Sequence, residues 1–257
     1  MKRFAVLMVA SSLVLAFAAC EQVEPETEMR TDSFTVSSGY RLEAHTFNGS
    51  IEVVEGDGLQ VTVVATIQQP KELEYEAKIQ GDTLKITAKP IRNNVHPSPG
   101  VSLVITTPSD AVLDLRSLNG GIEVIGVGTG GDLETSNGVI TLERVVGVFV
   151  LNTSNGRVVL SEVHGSFGVD TSNASIQFDG VLEPDTNTQL RTSNGSIDIT
   201  LGPNANVEID AQTSNGDVSV AYPLNKASVS DEKIVGTLGT GSSKVRLRTS
   251  NGKINVR

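Results

Sequence analysis

The chain has 257 residues, of which 20 are basic and 30 acidic, giving a formal net charge of −10, with one cysteine and no tryptophan. An acidic balance argues against nucleic acid as a partner, because a phosphate backbone demands a basic surface. A lone cysteine excludes an intramolecular disulfide.

The chain begins like an export signal. Lys2 and Arg3 form a positive start, Phe4 to Ala16 an apolar stretch, and "FAAC" ends it at Cys20. The stretch is shorter than the roughly 20 residues a membrane span needs. "FAAC" resembles a bacterial lipobox, with Phe17 where Leu is more usual. That resemblance implies a lipidated Cys20 at the mature N-terminus; plain secretion with an idle thiol is the alternative. Glu21 after the cysteine resembles the sorting pattern of outer-membrane lipoproteins. Removing residues 1–19 takes away only Lys2 and Arg3, so 18 basic and 30 acidic residues leave a mature charge of −12. The polar run "EQVEPETEMRTDS" reads as a flexible tether over residues 20–33.

Four strand-like stretches follow, "LQVTVVATI", "ELEYEAKI", "DTLKITA" and "VSLVITT", with a hairpin expected at Gly81-Asp82 and a long loop at "RNNVHPSPG". Residues 34–118 are expected to form an N-terminal β segment that caps the remainder. Residues 119–257 carry an internal repeat. Its asparagines are Asn119, Asn137, Asn155, Asn173, Asn194, Asn215 and Asn251, with an earlier copy at Asn48. Successive spacings from Asn119 are 18, 18, 18, 21, 21 and 36, the mark of a solenoid.

Aligned on the asparagine, every residue three and five positions later is apolar, from Ile122 and Val124 to Ile254 and Val256. So is every residue four positions earlier, from Leu115 to Leu247. Polar residues mostly fill the gaps, and period-two alternation means strands with one buried face. Each coil therefore reads as strand, Asn-Gly corner, strand and return, and only a stack of coils buries the core. Glycine follows the asparagine everywhere except at Ala174. Both residues tolerate the positive φ that a sharp corner commonly needs. Stacked asparagines can form an amide ladder, and the Thr or Ser two positions earlier can satisfy backbone groups. A ligand bound along this row is the alternative. Residues 223–243 interrupt the repeat as an extended loop or irregular coil.

Iterated "TSNGxI" words behind an export signal resemble the bacterial putative-adhesin family of unknown function, related to head-GIN domains of autotransporter adhesins. The resemblance covers about residues 34–257. It implies an all-β parallel solenoid on the cell surface or in the envelope, with no established enzymatic activity and no active site to transfer. Some relatives stand beside envelope-stress regulators, which adds a membrane regulatory protein to the expected partners.

Little else carries chemistry. His45, His96 and His164 lack metal-ligand spacing, so no metal or cofactor is expected. "GVGTGG" matches a dinucleotide fingerprint in letters only, because no helix follows it. Outward Glu123, Glu134, Asp170 and Asp198 are the carboxylates available to a polysaccharide-cleaving enzyme, the weakest reading. Lys244, Arg246, Arg248, Lys253 and Arg257 crowd the last coil. They guard an exposed edge or contact a polyanion of the envelope. The expected protein is thus a non-catalytic envelope lipoprotein, held to the membrane by its N-terminal lipid, whose solenoid meets an envelope or extracellular polysaccharide.

Overall fold

The computed structural model describes residues 26–92 and 98–257; the export segment with Cys20, and His96, lie outside the described residues. The N-terminal strands are β1 (Thr27–Thr35), β2 (Arg41–Thr46), β3 (Ile51–Glu55), β4 (Gln60–Gln68), β5 (Leu73–Gln80), β6 (Thr83–Pro90) and β7 (Gly100–Thr107). Next come β8 (Val112–Ser117), β9 (Ile122–Ile125), β10 (Gly130–Thr135), β11 (Ile140–Glu143), β12 (Val146–Thr153) and β13 (Val158–Thr171). The chain continues through β14 (Ile176–Leu182), β15 (Asn187–Thr192), β16 (Ile197–Leu201), β17 (Val207–Asn215) and β18 (Val218–Val220). It ends with β19 (Asn225–Val229), β20 (Lys233–Leu238), β21 (Ser243–Asn251) and β22 (Ile254–Val256). One 3₁₀ turn, Pro70–Glu72, is the only helical element among the described residues, and none is long and apolar enough to cross a membrane.

The strands build a parallel β-solenoid with two main faces. The first stacks the strands that precede the corner, in the order β6, β2, β8, β10, β12, β13, β15, β21, β17. The second stacks those that follow it, in the order β7, β3, β9, β11, β13, β14, β16, β22, β18. The long β13 belongs to both: its first residues pair with β14 and its last with β12 and β15. Every residue of the three apolar columns is buried except the partly buried Val220. Fully burying one such side chain contributes about 1.5–3 kcal/mol. Inside, Phe149 stacks on Phe167 at 6.0 Å between ring centroids, and Phe178 meets Phe167 edge-on at 5.6 Å.

The corners work differently from the sequence expectation. Of the corner glycines only Gly49 and Gly216 have positive φ. Glycine is needed instead because adjacent coils nearly touch: a Cβ on Gly156 would lie 1.6 Å from the Gly138 carbonyl oxygen, and one on Gly138 would lie 2.0 Å from that of Gly120. Left-handed backbone falls at a second corner, seven residues after the asparagine, at Gly126 (φ 71°), Arg144 (φ 52°) and Glu162 (φ 54°). Beyond it the buried Val127, Val145 and Val163 close a short third side of the coil.

Four boundaries shift from the sequence reading. Residues 27–33, read as tether, lie in β1, antiparallel to β4; as an outer edge strand, β1 is polar because little of it is buried. Within residues 34–118 the stacked coils have already begun, since β2 and β3 form a coil in register with β8 and β9. The chain leaves that coil to build its cap from antiparallel β1, β4 and β5, and the expected hairpin does turn at Gly81-Asp82. Residues 223–243 hold a second hairpin, β19–β20, antiparallel on the outer edge of β17. Finally, the coil that is last in sequence is not last in space. It slots between its two predecessors, β21 between β15 and β17, β22 between β16 and β18.

Candidate binding surface

The corner row joins eight asparagines in one chain of side-chain amides. Asn119 donates to Asn48, Asn137 to Asn119, Asn155 to Asn137 and Asn173 to Asn155, all through Nδ2 to Oδ1 at 2.7–2.8 Å. It continues with Asn194 donating to Asn173 (3.0 Å), Asn251 to Asn194 (2.8 Å) and Asn215 to Asn251 (2.9 Å). At the cap, Asn48 donates to the Pro99 carbonyl at 3.0 Å. Behind the amides the hydroxyls point inward. Thr135 Oγ1 donates to the Gly120 carbonyl at 2.9 Å and accepts from the Gly138 N–H at 3.2 Å. The same donation recurs from Thr153, Thr171, Thr192, Thr249 and Thr213 to the neighbouring coil. These groups are occupied in holding the corner, which leaves the outer columns free for ligands.

The residues just before the asparagines, among them Ser154, Ser172, Ser193, Ser250 and Ser214, form a row of exposed hydroxyls. Beside it on the first face runs the column Glu134, Asn152, Asp170, Arg191, Arg248, Gln212. Its sign changes between Asp170 and Arg191. Glu134 and Asp170 line one groove, separated by the strand that carries Asn152, so their backbones stand about 9–10 Å apart at ordinary strand spacing. Both are exposed. Asp198 is on the other face, accepting from Asn255 Nδ2 at 2.7 Å, and Glu123 lies in register with Glu52.

The five C-terminal cations separate. Lys244, Arg246 and Arg248 lie on the first face, while Lys253, 3.6 Å from Asp217, and Arg257, in a groove with Asp179 and Asp198, lie on the second. Because β21 and β22 are paired on both sides, the five do not guard a terminal edge. Arg248 binds Asp210 at 2.5 Å and its carbonyl at 2.7 Å; Arg246 reaches the same carboxylate at 3.7 Å. Among the described residues Arg191, in direct register with Arg248, has no carboxylate within salt-bridge distance, and neither has Lys244. Sequence reading passed over Arg191, although alignment on the asparagines places it in the same column as Arg248.

Near the cap a second cluster is closed on itself. Asp114 takes contacts from Arg41 (2.5 Å), Arg116 (3.1 Å) and His45 (3.4 Å), and Lys85 binds Glu43 at 2.5 Å. Burial pushes the Asp114 carboxyl up, but hydrogen bonds from Arg41, His45 and Arg116 outweigh it and hold it below the usual carboxylate range. His45 is thus half-buried in this network. Among the described residues no three His, Cys, Asp or Glu side chains are placed to hold a metal ion.

A family model matches residues 127–257, the stretch of stacked corners. The chain belongs to the Toastrack DUF4097 family. Comparison with curated proteins gives no match. Among solved structures, a putative cell adhesion protein from Clostridium sporogenes is 13% identical over 91% of this chain and 99% of its own, with a TM-score of 0.36. A putative adhesin from Bacteroides fragilis is 12% identical over 91% and 99%, at 0.40. A putative lipid binding protein from Parabacteroides distasonis is 13% identical over 89% and 96%, at 0.26. The Toastrack match and the stacked parallel strands agree on a β-solenoid.

Proposed function

We propose that this protein is a non-catalytic envelope lipoprotein whose solenoid presents a binding or scaffolding surface to an envelope or extracellular polysaccharide. The observation that supports this most is the row of exposed serine hydroxyls, flanked by amides and charges, repeated at strand spacing along the stack. Such a row offers donors and acceptors at a regular interval, which suits a polymer better than a small molecule in a closed pocket. Export and lipidation at Cys20 would place the surface on a membrane, outer-membrane sorting following from Glu21. Retention of purified protein on isolated envelope and extracellular polysaccharides is the test. Saturable retention supports the reading, and failure to bind any of them overturns it.

One observation favours a second reading, an accessory that docks on a membrane regulatory protein. Val146, Val148 and Val150 point outward from β12 and are 59%, 64% and 41% exposed. Photocrosslinking from position 148 in cells would trap a membrane protein if that reading holds and would yield only monomer if it fails.

A further inference from the structure

The seam where β15 meets β21 is the most unusual part of the outer surface. Its outward rungs are Asn187 with Lys244, Gln189 with Arg246, and Arg191 with Arg248. Every rung therefore carries at least one cation, and two carry a side-chain amide. Outward residues along one strand stand about 6.6–6.8 Å apart, and the two strands about 4.8 Å. Like charges directly opposite each other destabilise a sheet, yet Arg191 lies opposite Arg248. Its other neighbour in the column, Asp170, does not come within salt-bridge distance. On the far side of β21, Asp210 answers Arg246 and Arg248, and Glu208 lies in register with Lys244. The four cations thus exceed the three carboxylates that neighbour them in register, Asp170, Asp210 and Glu208, in a chain whose formal net charge is −10.

We propose that this seam binds a stretch of carboxylated polysaccharide laid along the direction of β21. The inference rests on the polymer-binding reading above and names its ligand class and its site. Guanidinium groups match a carboxylate fork through paired N–H donors. The amides of Asn187 and Gln189 both donate and accept, as neighbouring sugar hydroxyls require, whereas a bare phosphate chain offers acceptors alone. An uncharged glycan would leave the Arg191–Arg248 repulsion in place. A uronate carboxylate set between Arg191 and Arg248 relieves it, the single cations of the other two rungs take further carboxylates, and a seam filled this way discriminates against neutral sugars.

The test uses purified full-length protein in detergent, with polygalacturonate as the probe and its methyl ester and inorganic polyphosphate as comparisons. The variants are Arg191→Gln and Lys244→Gln, combined, since among the described residues neither side chain has an ion-pair partner whose loss would unsettle the fold. Saturable binding to polygalacturonate that weakens with salt, falls at least tenfold in the double variant and is absent with the methyl ester supports the proposal. Equal binding of the ester, tighter binding of polyphosphate, or an unchanged double variant overturns it. Wild-type protein retained by envelope polysaccharides but not by polygalacturonate removes the seam assignment and leaves the polymer reading standing. Retention by none of them removes both.

Discussion

A methyl group on Gly156 would sit 1.6 Å from the Gly138 carbonyl oxygen, inside the space where backbone meets backbone. No rotamer relieves that contact, so the two coils must part. Gly156→Ala is expected to cost several times the roughly 1 kcal/mol of an ordinary substitution, read as a fall in the denaturant midpoint. Asn155 is a milder case, because it gives one amide bond to Asn137 and takes one from Asn173 on an exposed surface. Asn155→Ala should cost about 1 kcal/mol and leave the fold intact. Tyr40 adds a pH-dependent contribution. It is buried, its hydroxyl lies 2.5 Å from Thr107 Oγ1, and burial pushes its pKa up to about 12. The unfolded chain releases that proton near pH 10, so the stabilisation is complete below about pH 10 and is lost as pH rises toward 12. Tyr40→Phe should be less stable at neutral pH, and the gap to wild type should close across that window in unfolding titrations.

At the scale of elements, the inserted C-terminal coil holds its neighbours in place. The β17–β18 coil meets the solenoid through β21 and β22, and the β19–β20 hairpin reaches it through β17. Truncation before Ser243 should therefore release residues 203–238 to limited proteolysis while the coils up to β16 stay protected. Protection of β17 in that variant would mean that it docks directly on β15. Deeper in the stack, Phe167→Ala removes the ring that touches both Phe149 and Phe178 and should cost about 3–5 kcal/mol. The buried columns and the members of the amide row were legible in the sequence, because period-two apolarity and the Asn-Gly word repeat at fixed offsets. The spatial order of coils was not. "AQTSNGDVSV" and "LRTSNGKINV" fit the same columns equally well, and connections usually run between neighbours. What decides the order is the β19–β20 hairpin, which pairs antiparallel with an outer edge of β17 and so keeps that strand outermost. Arg144 and Glu162 hid the second corner for a related reason: nothing in a charged residue announces a left-handed backbone.

Across the whole molecule, charge is sorted along the stack. Glu134 and Asp170 occupy the middle of the first face, and Arg191, Arg246 and Arg248 its C-terminal part. If the proposed seam holds a charged polymer, salt screens the attraction over about 8–10 Å, and association should weaken steeply with ionic strength. Glu134 and Asp170 sharing a groove is the feature a hydrolytic account would rely on, since two carboxylates about 6.5–9.5 Å apart suit inverting chemistry. The measurement that separates binding from cutting follows retention and released reducing ends together, with full-length protein on purified envelope and extracellular polysaccharides. The account predicts saturable retention with no reducing ends above the protein-free control. Reducing ends that accumulate with time and disappear in Glu134→Gln would contradict it.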